Sequence, residues 1–190
     1  GGSYTDTWSG KTISYKDYTE DSGVVKDTIS GFDRFGVYNY NASVTTKIYG
    51  IVNFKPKNKV QSIRHTITPS ISYSNTPSFE EYYDTYIIDA DGNTAEYTRF
   101  QGGLFGIPGI NYSSSIGINI QNTLEAKIKP KDSTQTELKK INIFKNLNIS
   151  TSYNLAAEEF KWSPLRITGS IDLADGLSLN TGATFDPYAL

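Results

Sequence analysis

The side chains that could do chemistry are few. Glu80, Glu81, Asp84, Asp89 and Asp91 crowd one polar stretch. Asp89 to Asn93 read DADGN, and acidic and amide oxygens at that spacing open a calcium loop. No Glu follows at the distance that would close one, and Asp91-Gly92 is the dipeptide of a tight hairpin turn, which is the reading adopted. Two carboxyls could also serve as the acid and base of a glycosidase, but a solvated loop accounts for these acids better. His65 is the only histidine. A Ser-His-Asp triad would have to use it, and no Gly-x-Ser-x-Gly elbow accompanies it, so it reads as an interfacial side chain. With no cysteine there is neither a disulfide nor a thiolate metal site. The sequence therefore points to no catalytic, cofactor-binding or metal-ligating residue, and to a protein that is not an enzyme.

The composition narrows the class. A net charge of -2, with no basic stripe carrying interleaved aromatics, argues against a nucleic-acid partner. No apolar run approaches the roughly 18 to 20 residues of a membrane-spanning helix. Apolar content is 37% including 14 Tyr, low for an aliphatic core in a chain of 190 residues. With no Met at its start, the chain reads as a mature piece or a fragment.

The elements that must position these residues are strands. Residues 63 to 74, IRHTITPSISYS, put Ile63, His65, Ile67, Pro69, Ile71 and Tyr73 on one face and Arg64, Thr66, Thr68, Ser70, Ser72 and Ser74 on the other. Residues 31 to 54 alternate as one long strand, with Tyr38, Tyr40, Ala42, Val44, Ile48, Val52 and Phe54 opposite Asn39, Asn41, Ser43, Thr45 and Lys47. The turn 55 to 61, with Pro56 and Asn58, joins these two as an antiparallel hairpin. Further on, Ile116, Ile118, Ile120, Leu124, Ala126 and Ile128 oppose Gly117, Asn119, Gln121, Thr123, Glu125 and Lys127. Leu147, Ile149, Thr151, Tyr153 and Leu155 oppose Asn148, Ser150, Ser152 and Asn154. Leu165, Ile167, Gly169, Ile171 and Leu173 then share a face, and after the turn ADG so do Leu177, Leu179, Thr181, Ala183 and Phe185. With a weak first strand near Tyr4 to Tyr18 there are seven strands and no amphipathic helix. Pro69 has no N–H for the ladder and marks a bulge or a weakly paired boundary.

Connections are expected to run longer (19 to 30), shorter (55 to 61), very long (75 to 112, with a small hairpin at Asp91-Gly92), shorter (129 to 139), longer (156 to 163) and very short (174 to 176). That alternation suits an up-and-down meander with one long-loop rim. Chain direction places Tyr38, Tyr40, Tyr73, Tyr112, Tyr153 and Phe185 at that rim on the apolar faces, as the aromatic belt of a membrane interface. A soluble β-sandwich shows the same period of two. Against it stand strand midsections without charge on the apolar face and a facing surface of small polar residues.

The fold class expected is thus all-β, an antiparallel up-and-down meander forming part of a transmembrane β-barrel, with residues 1-190 as one partial barrel domain. Lumen-facing residues are Asn39, Asn41, Ser43, Thr45, Lys47, Asn119, Gln121, Thr123, Asn148, Ser150 and Ser152. Lipid-facing residues are Ala42, Val44, Ile48, Ile67, Ile71, Ile116, Ile118, Ile120, Leu147, Ile149, Ile167, Ile171 and Leu179. Seven is too few and of the wrong parity for a complete bacterial barrel, so the chain is expected to be an arc of a larger one.

Three stretches, YGIVNFKPKNKVQSIRHTITPSISYS, FKNLNISTSYNLAAEEFKWSPLRITGSIDL and GATFDPYAL, carry a family likeness. From about Gly31 onward the chain resembles the barrel domain of LptD-type LPS-assembly outer-membrane proteins, in the version carried by Bacteroidetes-like bacteria. The resemblance implies an outer-membrane location and insertion of lipopolysaccharide into the outer leaflet. It also implies a plug lipoprotein and periplasmic bridge proteins as partners, besides lipopolysaccharide and outer-membrane lipid. No cofactor is expected. The sequence lacks the family's N-terminal jellyroll, its cysteines and its final strands, which leaves the lateral opening unplaced. The loop acids could meet lipopolysaccharide phosphates bridged by divalent ions. The alternative is a soluble carbohydrate-binding or adhesive β-sandwich, with Tyr82, Tyr83, Tyr86, Tyr97, Phe100 and Phe105 stacking on sugars.

Overall fold

The computed structural model describes residues 1–130, 137–174 and 177–189. The expected turn 129 to 139 therefore falls largely outside the described residues, as do Asp175 and Gly176 of the ADG turn and the side chain of Leu173. The strands are β1 (Gly2–Thr19), β2 (Gly23–Thr45), β3 (Ile48–Asn53), β4 (Val60–Thr76), β5 (Tyr83–Ile87), β6 (Thr94–Thr98), β7 (Ser113–Ile128), β8 (Lys139–Asn154), β9 (Leu165–Ala174) and β10 (Leu177–Phe185). One 3-10 turn, Glu80–Tyr82, precedes β5, and no α-helix occurs among the described residues. The fold is all-β, and its main sheet is an antiparallel meander. The chain divides into two compact units: Gly1–Asn41 with Ser74–Ser113, and Ala42–Tyr73 with Ser114–Leu190.

In the first unit β1 and β2 form a hairpin whose connection is three residues, 20 to 22, where the alternation predicted a longer one from 19 to 30. Gly23 takes a left-handed φ of 64°, and the Thr19 and Ser22 hydroxyls, 2.6 Å apart, close the turn. Residues 24 to 30 mix apolar and polar types on both faces, so no period of two announced the start of β2. The long segment after β4 does not hang free. Its β5–β6 hairpin turns at Gly92 (φ 81°), as the Asp-Gly dipeptide predicted. Its aromatic side chains build a core on the β1–β2 hairpin. Phe100 lies 4.7 Å from Phe35 between ring centroids and 5.9 Å from Tyr82, while Tyr15 stacks on Tyr86 at 4.4 Å. Backbone bonds lock the layer in place: Ile13 N–H donates to the Arg99 carbonyl (2.9 Å), Gly36 N–H to the Tyr82 hydroxyl (3.1 Å) and Ile87 N–H to the Asp17 carboxylate (2.8 Å). At Gly36 the Tyr4 ring lies over the backbone, and a Cβ there would stand 2.6 Å from its hydroxyl and push that exposed ring aside. Ile13, Phe35, Phe79, Tyr97 and Phe100 are buried. Tyr97 and Phe100 are thus core residues and give no surface for sugar stacking, which corrects that part of the sandwich reading.

The second unit is one sheet. β3 and the end of β2 lie along β4, and the order continues β7, β8, β9, β10. The strand expected over 31 to 54 is interrupted at residues 46 and 47. The cause sits across the ladder. Ile48 pairs with Ile67, which sets Thr46 opposite Pro69; Thr46 N–H donates to the Pro69 carbonyl (3.2 Å), but Pro69 has no N–H to return. In Pro69→Ala the new amide at position 69 should exchange with solvent more slowly than the amide of the exposed Lys57 in the 54–59 turn, as a ladder donor would. Equal exchange would mean the break has another cause.

β8 begins at Lys139, earlier than the alternation suggested. Register shifts between Asn122/Leu124 and between Leu124/Glu125 insert extra β8 residues. Two such bulges return Ile141 to the face that Leu147 and Ile149 occupy, while erasing the period of two across 142 to 146.

Candidate functional site

The second unit has two chemically distinct faces, and register fixes both. In an antiparallel pair, directly opposed residues point to the same side. Ile120, Ile149, Ile167 and Ala183 are successive partners across β7 to β10, forming one aliphatic row. Rows beside it hold Ile118 with Thr151, Ile116 with Tyr153, and Ile171 with Leu179; Ile48 pairs with Ile67 further along the sheet. On the other side, Asn119, Ser150, Arg166 and Thr184 form a row, and so do Gln121, Asn148, Thr168 and Gly182. Ser152 faces Gly117, and the Ser70 hydroxyl donates to the Asn119 carbonyl (3.3 Å).

Among the described residues of this unit, no second sheet covers the aliphatic rows. Ala126 is the one buried hydrophobic residue among the described residues of this unit, while Val44, Ile48, Ile71 and Leu179 are exposed and Ile116, Ile118, Ile120, Leu147, Ile149, Ile167 and Ile171 are half-buried. A sandwich would have buried them, so this unit does not have a sandwich's two layers. Lys47 falls in the strand break, and Thr123 lies beside the bulges. Ala42, Ser43 and Thr45 are exposed at the end of β2, and Ile67 is half-buried. Asn39 and Asn41 belong to the first unit, where the Asn39 amide donates to the Ser3 hydroxyl at 2.8 Å.

The six belt aromatics are divided between the units. Tyr38, Tyr40 and Tyr112 lie in the first, with Tyr38 edge-on to Phe79 (5.5 Å) and the Tyr112 hydroxyl accepting from Asn75 (3.1 Å). Tyr73, Tyr153 and Phe185 lie in the second, where Tyr153 meets Trp162 at 4.9 Å.

Two polar clusters escaped the sequence reading. Glu125 accepts from Arg64 Nε (2.8 Å) and Nη2, and its other oxygen lies 2.5 Å from Lys140 Nζ. Lys127 stands directly across from Lys140, so a carboxylate holds together a cationic patch beside a groove of about 390 Å³ that Ile51 and Ser62 also line. Opposite charges of matching parity at one end of two strands were the available signal. On the aliphatic face His65 Nε2 lies 3.2 Å from Asn122 Oδ1, and the Asn122 amide reaches the Ile120 (3.5 Å) and Leu147 (3.4 Å) carbonyls. That network supplies partners for a polar side chain placed among aliphatic ones.

The acidic loop is a turn device. Asp89 Oδ1 accepts from the Asp91 (3.1 Å) and Asn93 (3.0 Å) N–H groups, and Oδ2 accepts from the Asn93 side chain (2.7 Å). Bonds from the Asn93 side chain and backbone hold this carboxyl below the usual range. The folded-state pKa is depressed, so the turn's support is complete above about pH 3.8 and is lost as the pH falls through the lower folded value. The Asn93 amide resonance should titrate with a midpoint below 3.8 and stop titrating in Asp89→Asn; a midpoint at 3.8 would discard the network.

Compared with known protein families, residues 1–188 match the model described as LptD protein. No curated protein and no solved structure matches the chain.

Proposed function

Since the chain belongs to the LptD protein family, whose members work in lipopolysaccharide transport and assembly, we propose that it is a section of the wall of an outer-membrane β-barrel translocon that inserts lipopolysaccharide into the outer leaflet. One observation carries the reading: a single sheet with an uncovered aliphatic ladder on one face and a Ser/Thr/Asn ladder on the other. Full burial of an Ile or Leu is worth about 1.5–3 kcal/mol, and a ladder of half-buried and exposed ones forfeits part of that at each residue, so it needs an apolar cover. Hydrocarbon chains of outer-membrane lipid provide one.

In this reading Ile48, Ile67, Ile71, Ile116, Ile118, Ile120, Leu147, Ile149, Ile167, Ile171, Leu179, Ala42 and Val44 face lipid. The row of Asn119 and Ser150, with Gln121, Thr123, Asn148 and Ser152, faces a wet lumen, together with Asn39, Asn41, Ser43, Thr45 and Lys47. Tyr38, Tyr40, Tyr73, Tyr112, Tyr153 and Phe185 sit at the interface. The work is transport without covalent chemistry: the polar wall solvates the saccharide while the acyl chains stay out of water. A plug lipoprotein and periplasmic bridge proteins complete the pathway.

A photo-crosslinking amino acid at Asn119 or Ser150 should capture lipopolysaccharide in living cells, whereas one at Ile120 or Ile149 should capture membrane phospholipid. Absence of a lipopolysaccharide adduct from the polar face, or the reverse pattern, would remove the proposal.

A further inference from the structure

The connection between β8 and β9 and the tail after β10 build a groove whose two rings, Phe160 and Tyr188, none of the preceding roles uses. Lys161 to Ser163 are pinned along β8: Asn154 N–H donates to the Lys161 carbonyl (2.7 Å), Ser163 N–H donates to the Ser152 carbonyl (2.8 Å), and Trp162 bridges to Tyr153. Just before this pinned stretch, Phe160 adopts φ 49°, a left-handed conformation that residues with a Cβ rarely take. Glycine would suit the backbone better. Phe160 is 71% exposed, so its presence is not explained by a core.

It is nevertheless held. Phe160 meets Tyr188 edge-on at 5.0 Å and 88°. The Tyr188 hydroxyl accepts from Trp162 N–H (2.6 Å), and Tyr188 N–H donates to the Asp186 carboxylate (2.9 Å). Together with Asn154, Lys161 and Asp186, these rings line a groove of about 620 Å³, within the roughly 300–1,000 Å³ of ligand sites. Asn154 Oδ1 is occupied by the Ala156 and Ala157 N–H groups, which leaves its amide N–H₂ to donate.

We propose that this groove binds a saccharide, with a pyranose ring laid on the face of Phe160, which Tyr188 braces edge-on, and its hydroxyls bonded to Lys161, Asp186 and the Asn154 amide. Sugar rings carry an apolar C–H face for an aromatic surface and hydroxyls that both donate and accept. One cation and one anion cancel here, so the groove does not select phosphate. A left-handed backbone at an exposed aromatic marks a position where strain is kept for contact with a ligand. Naming lipopolysaccharide core as the source of the sugar rests on the transport reading.

Trp8 and Trp162 are the two tryptophans, so the detergent-solubilised Trp8→Phe protein reports through Trp162 alone. Titration with lipid-free core oligosaccharide should change this fluorescence. Phe160→Gly should raise the Kd at least about tenfold while the Tm holds or rises, because glycine relieves the left-handed residue. Phe160→Tyr, which keeps a ring, should bind within about twofold of the parent. Binding of maltotriose as well would mark a general sugar platform; binding of core alone would tie the groove to lipopolysaccharide. Absence of response to both sugars, parental binding in Phe160→Gly, or lost binding in a folded Phe160→Tyr would overturn the proposal. The titration needs neither bilayer nor transport, so its failure leaves the barrel reading standing, and failure of the crosslinking pattern leaves this groove's binding standing.

Discussion

A lysine at position 149 should weaken folding into phosphatidylcholine vesicles by about 2–4 kcal/mol, the depth-dependent cost of a cation on the lipid face of a barrel. Ile149 has Ile120 and Ile167 as its direct partners, so Ile149→Lys sets the charge in the middle of the aliphatic ladder with no carboxylate beside it on that row. Ser150→Lys, one residue along the same strand, points to the other face, between Asn119 and Arg166. It should cost less than about 1 kcal/mol, since the charge stays in water. Urea titrations of vesicle-inserted protein, followed by tryptophan fluorescence, separate the two. Equal losses in both variants would sink the assignment of faces, because a sheet wet on both sides, or buried on both, would not tell Ile149 from Ser150.

Truncating Phe100 to alanine should destabilise the first unit by about 3–5 kcal/mol, the range for removing a large buried ring. Phe100 is 2% exposed; it packs on Phe35 and Tyr82, and the Arg99 guanidinium lies over it at 4.8 Å. With the ring gone, the layer of residues 74 to 113 loses its anchor on the β1–β2 hairpin and should become cleavable by trypsin after Arg99. Leu104, 95% exposed a few residues away, is the control: Leu104→Ala should leave cleavage unchanged. Should Phe100→Ala resist protease as well as the parent, the backbone bonds from Ile13, Gly36 and Ile87 rather than the aromatic core would be what holds the layer.

The two experiments address different levels of information. Which residues share a face is a local matter, because successive side chains of an extended backbone must point to opposite sides. The rows through Ile120 and Asn119 could therefore be read strand by strand, and the Gly92 turn from its dipeptide. Asp89 could likewise be read as a turn residue beside that dipeptide. The groove at Phe160 could not, since nothing in LAAEEFKWSP announces a left-handed phenylalanine or a partner 28 residues later.

What the amino-acid order settled alone is the two-faced character of the strands, since alternation is built into each strand's own geometry. What the tertiary structure decided is everything that depends on a neighbour. The break at Thr46 exists because Pro69 stands across from it, and the bulges in β8 exist because β7 sets the count. The Arg64–Glu125–Lys140 cluster exists because three strands, β4, β7 and β8, meet in one register, and a long polar segment became a packed layer because Phe35 offered its rings a surface. A single strand carries no record of its partner, so these features arise only when the sheet assembles.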